Sequence, residues 1–192
     1  KTETGWLVEV RDLPALGYTT IQYKEAETGN DAETPFVIND NSVETPYYRI
    51  TWNESGQLES IFDKGAHREV LADGERGNVF QLFEDKPLNY ENWDIDIFYQ
   101  EKMKEIRDLQ DVKVLENGPL CAKIEFTWKY ENSIITQEMV VYRNNRRIDF
   151  RTHVDWHEQQ QLLKVAFPVN IRATEATYDI QFGNVKRPTH WN

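Results

Sequence analysis

The stretch AKIEFTWKYENSIITQEMVVYRNNRRIDFRTHVDW, Ala122 to Trp156, decides the fold. Apolar and polar residues alternate along three runs within it, Ala122–Tyr130, Ile134–Tyr142 and Ile148–Trp156. Short polar connectors, Glu131-Asn132-Ser133 and Arg143-Asn144-Asn145-Arg146, separate the runs. A period of two places successive side chains on opposite faces of a strand, and connectors this short return the chain beside itself. The stretch therefore predicts a meander of long antiparallel strands.

The same signal continues on both sides. Tyr48–Trp52, the turn Asn53-Glu54-Ser55-Gly56 and Leu58–Phe62 read as a hairpin, closed by a second turn at Asp63-Lys64-Gly65. Thr20–Lys24, Phe36–Ile38, Val79–Phe83, Trp93–Phe98, Val112–Leu115, Leu162–Val169 and Tyr178–Phe182 add further strand-like runs. The charged segment Gln100–Leu109 fits either a helical turn or a mobile edge. No sustained spacing of three and four residues marks a helix. Some ten or eleven strands predict an all-β protein with little helix, built as a large antiparallel two-sheet sandwich.

The chain has 192 residues, 39% hydrophobic and 29% charged, which suffices for one domain with a core. Its formal net charge of −11 repels phosphate backbones, so nucleic acid is excluded as a partner. Apolar runs such as Met139–Tyr142 are far below the ~20 residues that cross a bilayer, so no membrane is expected. Cys121 is the single cysteine, so no intrachain disulfide forms, which fits a reducing cytoplasmic setting. The chain starts at Lys1 rather than Met and is read as a segment of something longer. A polar break at Glu27–Glu33 places a boundary near residues 27–40, between a short N-terminal β piece and the main body.

Several constellations carry chemistry on paper. His153, Asp155 and His157 alternate along one run and could face a metal together, although a solvated strand face looks the same. Asp94 and Asp96 share a strand face by the same count, yet paired carboxylates of glycosidases flank the scissile bond from different elements. Cys121, at a strand start, reads as a small core residue. Most aromatic residues read as packing. Trp93 is the exception, because it follows the polar, proline-containing loop Asp85–Asn92, where binding residues gather.

Separated motifs also resemble a known family. Gly77-Asn78-Val79-Phe80-Gln81-Leu82-Phe83-Glu84-Asp85-Lys86-Pro87, then Trp93-Asp94-Ile95-Asp96 and Tyr99, look like the C-terminal β-sandwich region of the α-mannosidases of glycoside hydrolase family 38. Glu116–Leu120, Arg147–Phe150 with Val154–Trp156, Leu162–Val165 with Phe167–Val169, and Phe182-Gly183 with Arg187–Asn192 follow in the family's order. The resemblance spans about residues 43 to 192. It implies a supersandwich-like domain over residues 41–192, truncated at its C-terminal side, with residues 1–40 ending a preceding small β domain plus linker.

The resemblance further implies a parent enzyme that hydrolyses α-mannosidic bonds of glycans with retention. Its nucleophile, acid/base and divalent metal, usually zinc, belong to an upstream catalytic α/β domain. This segment then carries no catalytic residue, metal ligand or cofactor, and is inactive alone. Its partners are that catalytic domain and a mannose-containing glycan, and a homo-oligomer is among the assemblies expected. The Asp85–Trp93 loop and the Arg187–Asn192 segment are brought to the active-site rim, with Tyr90, Trp93, Asp94, His190 and Trp191 as substrate-binding candidates. Two competing readings are a free-standing carbohydrate-binding or interaction module, and an autonomous hydrolase using Asp94 or Asp96.

Overall fold

The computed structural model describes residues 7–22, 33–90 and 93–190, and within them fourteen strands and one 3-10 turn. Strands β1 (Val37–Asn39), β2 (Ser42–Glu44), β3 (Tyr48–Trp52), β4 (Leu58–Asp63) and β5 (Arg68–Glu69) form one antiparallel sheet in chain order. Next come β6 (Val79–Glu84), the 3-10 turn Ile97–Glu101 and β7 (Met103–Glu105). The meander is β8 (Leu109–Asn117), β9 (Cys121–Tyr130), β10 (Ser133–Tyr142) and β11 (Ile148–Asp155), ordered β11-β10-β9-β8. Strand β12 (Gln161–Ala166) returns to pair with β6, giving the order β12-β6-β7, and β13 (Glu175–Ile180) pairs with β14 (Gly183–Pro188).

Register explains why the meander holds. Trp128, Phe126, Ile124 and Ala122 of β9 stand opposite Ile135, Gln137, Met139 and Val141 of β10, and all eight are buried. Alternation thus delivers one continuous inner face. The five-stranded sheet covers it with Val43, Ile50, Trp52, Leu58 and Ile61, and Phe80 enters from β6. Trp128 is the hub. Its ring stacks on Phe126 at 5.6 Å and meets Phe80 edge-on at 5.0 Å, while Trp52 meets Phe126 edge-on at 5.3 Å. The indole Nε1–H donates to the Ser55 carbonyl at 2.7 Å, which satisfies its one polar group.

The β3–β4 turn under this hub is built locally. Asn53 Oδ1 accepts the N–H groups of Ser55 and Gln57, and Gly56 sits at φ +72° with its N–H on the Asn53 carbonyl. Only glycine takes that backbone geometry without penalty. At the β2–β3 turn, buried Thr45 Oγ1 accepts the N–H groups of Tyr47 and Tyr48.

The all-β class and the antiparallel sandwich agree with the sequence reading. Several elements differ. Trp93–Phe98 is not a strand, because nothing among the described residues pairs with it and the chain enters a 3-10 turn at Ile97. The open question at Gln100–Leu109 resolves into the end of that turn, then β7. Thr20–Gln22 carry no strand, and Tyr23 and Lys24 lie outside the described residues. Short strands β2, β5 and β7 escape a period count because they hold only two or three residues. The run at Tyr178–Phe182 is instead β13, a tight turn with Phe182 at φ +61°, and β14. Val154, near the end of β11, is exposed, and Trp156 just beyond the strand is half-buried, stacked on Tyr130. Among the described residues no helix is long and apolar enough to cross a membrane.

Candidate functional site

The loop leaving β6 is held at both ends. Asp85 donates its N–H to the Gln160 carbonyl at 2.9 Å, and Leu88 donates its N–H to Asp96 Oδ2 at 2.7 Å. Between these ties, the N–H groups of Trp93 and Asp94 both reach the Tyr90 carbonyl, at 2.7 and 3.0 Å. Tyr90 itself sits at φ +58°. A left-handed non-glycine residue costs on the order of 1–3 kcal/mol, and such costs gather at ligand-contacting segments.

At the tip, Trp93 is 88% exposed and Tyr90 74%, with Leu88, Ile95, Ile97 and Phe98 also exposed. A cluster of large apolar side chains this open marks an interaction surface in ordinary soluble proteins. Asp94 stands beside them, exposed. Asp96 does not share a strand face with Asp94, since its carboxylate turns back to the Leu88 amide.

Under the tip lies a cavity of about 160 Å³ lined by Glu84, Asp85, Lys86, Pro87 and Tyr99 among others. Lys102 and Lys86 each donate to Glu84, at 2.5 Å, and hold its carboxyl down to about 2. The Tyr99 ring packs edge-on to Phe83 at 5.1 Å. Lys164 donates to the Tyr99 hydroxyl at 3.1 Å, which lowers the phenol pKa, and lies over both rings. This lysine on β12 thereby ties the loop to the sandwich.

The remaining candidates are scattered. His190 is exposed just beyond β14, and no hydrogen bond or ring contact joins it to Tyr90, Trp93 or Asp94 among the described residues. Trp191 lies outside the described residues. His157 has left the strand, which ends at Asp155, and its Nε2 sits 3.0 Å from the Asp155 carboxylate. Among the described residues no three His, Cys, Asp or Glu side chains converge to hold a metal. Cys121 is buried, its Sγ–H aimed at Glu116 at 3.4 Å, and burial with the adjacent Glu116 charge pushes the thiol up to about 11.

Two polar networks were not visible in the sequence. In one, Gln57, Arg76 and Arg107 converge on Glu105. Burial alone would raise that carboxyl, but hydrogen bonds from Gln57 and Arg107 and the Arg76 charge lower it. In the other, Asn78 and Gln137, both buried, run in series to Thr152. Arg107 apart, which is two positions from Glu105, their bonded members are 15 to 59 positions apart, so no local spacing announces them.

Comparison with known proteins adds independent findings. The family model described as Glycosyl hydrolases family 38 C-terminal domain matches residues 43–192. The chain is 37% identical over 169 residues to "Alpha-mannosidase G" of Dictyostelium discoideum, covering 85% of this chain and 15% of that protein. It is 32% identical over 187 residues to "Alpha-mannosidase 2C1" of Homo sapiens, covering 94% of this chain and 18% of the relative. The chain thus spans less than a fifth of these relatives, at 15% and 18%. A crystal structure of an alpha-mannosidase from Enterococcus faecalis V583 superposes with a TM-score of 0.61 at 15% identity, over 87% of this chain and 21% of that one. At that identity the likeness concerns the fold alone.

Proposed function

Because the chain belongs to the glycosyl hydrolases of family 38, residues 43–192 matching the C-terminal domain of that family, we propose that it is the non-catalytic β-sandwich segment of an α-mannosidase. On this reading the parent enzyme hydrolyses α-mannosidic bonds of glycans with retention, in the cytoplasm. The sandwich packs against the catalytic α/β domain and lends the Asp85–Trp93 loop and the Arg187–Asn192 segment to the rim of the active site. Residues 1–40 end the preceding small β domain. Relatives more than five times the length of this chain, of which it covers 15% and 18%, favour a part of an enzyme over a free-standing module.

The observation that carries the rim assignment is the loop tip. Trp93, 88% exposed, is held by its own amide and that of Asp94 on the carbonyl of a strained Tyr90, and is not among the buried core. An indole presented this way offers a flat apolar surface to the C–H face of a sugar, with Asp94 next to it to accept hydroxyl protons. The divalent metal of the reaction is assigned to the catalytic domain. Among the described residues no three His, Cys, Asp or Glu side chains converge to hold one.

The test uses the complete enzyme. Trp93→Ala and His190→Ala are expected to lower kcat/KM for α-mannosides roughly tenfold, the size of about 1.4 kcal/mol of lost aromatic or hydrogen-bonding contact. Unchanged hydrolysis by both variants refutes the rim assignment. The isolated segment is expected to show no turnover of α-mannosides, and turnover by a clean preparation refutes the non-catalytic reading.

A further inference from the structure

The β13–β14 hairpin alternates as regularly as the meander. Its register sets Ala176 against Arg187, Tyr178 against Val185 and Ile180 against Gly183, and these six residues share one face. The opposite face holds Glu175, Thr177, Asp179, Asn184, Lys186 and Pro188, with Lys186 paired to Glu175 at 3.8 Å. The hairpin thus has a polar side suited to water and an apolar side, on which Arg187 lies over the Tyr178 ring at 5.6 Å.

The apolar side is open. Tyr178 is 51% and Ile180 47% exposed, and among the described residues no third strand joins the pair. Two strands alone are at best marginally stable in water, and need a further strand or another layer on their apolar face. The tip is a second, independent sign. Phe182 is fully exposed at φ +61°, a left-handed backbone that disfavours a bulky side chain. Strain of this kind gathers where a chain grips something else. The base of the hairpin is fixed, since Asn170 donates its N–H to the Val70 carbonyl and Thr189 its N–H to the Thr174 carbonyl, so the open face is held in place.

The size of the face decides what covers it. Strands of six residues at ~3.4 Å each, spaced ~4.8 Å apart, give a face of roughly 200 Å². A lasting contact between separate proteins takes about 800 Å² from each partner. A face a quarter of that size does not hold a second copy or a free protein by itself, whereas a surface of the same chain meets it at a millimolar effective concentration. The relatives are long enough to supply one, because this chain covers 15% and 18% of them. Strand β14 ends at Pro188, inside the Arg187–Asn192 segment proposed for the rim, so the face adjoins the place where the catalytic domain is expected.

We infer that the β13–β14 hairpin is an interdomain clasp, its face of Ala176, Tyr178, Ile180 and Val185 lying on an apolar surface of the upstream catalytic domain with Phe182 as the anchor. The inference rests on the reading of the chain as part of a family 38 enzyme. Docking of the face completes the layer that two strands lack, and the contact at Phe182 offsets the strain at the tip. Because β14 leads directly into Arg187–Asn192, the clasp also holds that segment against the rim.

The experiment uses the complete parent enzyme. Asp179→Cys and Ile180→Cys place a thiol on opposite faces of the hairpin, and each variant is treated with a maleimide and read by peptide mass spectrometry. The Ile180→Cys thiol is expected to react at least about tenfold more slowly than the Asp179→Cys thiol, because it reacts only when the clasp opens. A photoreactive benzoylphenylalanine in place of Phe182 is expected to cross-link to a peptide of the catalytic domain in the same molecule. Equal labelling of the two thiols overturns the clasp. So does a cross-link to a second copy, to residues 1–192 themselves or to chain beyond residue 192, or the absence of any cross-link. Thermal unfolding like that of the parent establishes that the cysteine variants fold, and where one does not, the cross-link decides. The two failures are distinct: unchanged hydrolysis by Trp93→Ala and His190→Ala removes the rim assignment without altering the labelling contrast, and equal labelling removes the clasp without altering the rim.

Discussion

Gly56 supplies a stringent test of the core. It sits at φ +72°, and a Cβ added there would lie 2.7 Å from Cζ2 of Trp128, 3.1 Å from Cε2 of the same ring and 3.1 Å from Leu109 Cδ1. Trp128 cannot yield easily, because it is stacked on Phe126, edge-on to Phe80, and tied through Nε1–H to the Ser55 carbonyl one residue from the substitution. Gly56→Ala therefore incurs two penalties. The left-handed backbone costs about 1–2 kcal/mol for an L-residue, and forcing a methyl into a packed core costs about 1–3 kcal/mol. Gly74 separates them, since it has the same φ of +72° with nothing within 4 Å of an added Cβ. Gly74→Ala should incur only the first penalty. For a domain of this size each kcal/mol moves the midpoint by roughly 2–4 °C. Thermal and denaturant unfolding, followed by tryptophan fluorescence, should place Gly56→Ala roughly 5–15 °C below the parent and clearly below Gly74→Ala. Equal shifts for the two variants would refute the view of Trp128 as an immovable hub.

Other outcomes follow from the charges and the thiol. The hydrogen bond and charge of Arg146, with the Ala66 and Gly65 amides, hold Asp63 down to about 2, from an ordinary value of 3.8. A depressed carboxyl contributes stability that is present above its unfolded value and is lost as pH falls through the folded one. Stability should thus decline between about pH 4 and pH 2, and Asp63→Asn should flatten that part of the profile; an identical profile in the variant counts against the assignment. Glu84, held at about 2 by Lys102 and Lys86, adds to the decline in the same window. Cys121 should resist thiol reagents at pH 8 while folded and react at once in denaturant, because burial raises its pKa to about 11. Rapid labelling of the native protein would contradict its place in the core.

How much of this was legible in the sequence depended on whether a segment's partner lay next to it in the chain. The meander did: Glu131–Ser133 and Arg143–Arg146 are too short to do anything but return the strand, and on the inner face of β9 and β10 the observed register sets apolar residue against apolar residue except where Gln137 stands opposite Phe126. The loop did at the level of position, since Pro87 and the polar residues after β6 marked where chain would leave the sheet. The networks around Glu105 and Gln137 did not, because hydrogen bonds across 29, 48 and 59 positions leave no periodic trace.

Trp93–Phe98 shows the limit of periodicity most clearly. Trp93-Asp94-Ile95-Asp96-Ile97 alternates as well as any strand of the meander, yet Trp93, Ile95 and Ile97 are 88%, 55% and 60% exposed. Alternation reports that a chain has an apolar side, and a strand exists only where a neighbouring strand accepts its amides and a second layer covers that side. Neither is present here: Asp96 spends its carboxylate on Leu88, and the backbone closes into a turn on Tyr90. The apolar side is left facing outward on a tethered loop. The misread strand and the proposed rim are therefore the same feature. A pattern suited to burial, held open by local hydrogen bonds, is the surface that the proposed rim requires, with a catalytic domain or a sugar as the covering layer in that proposal.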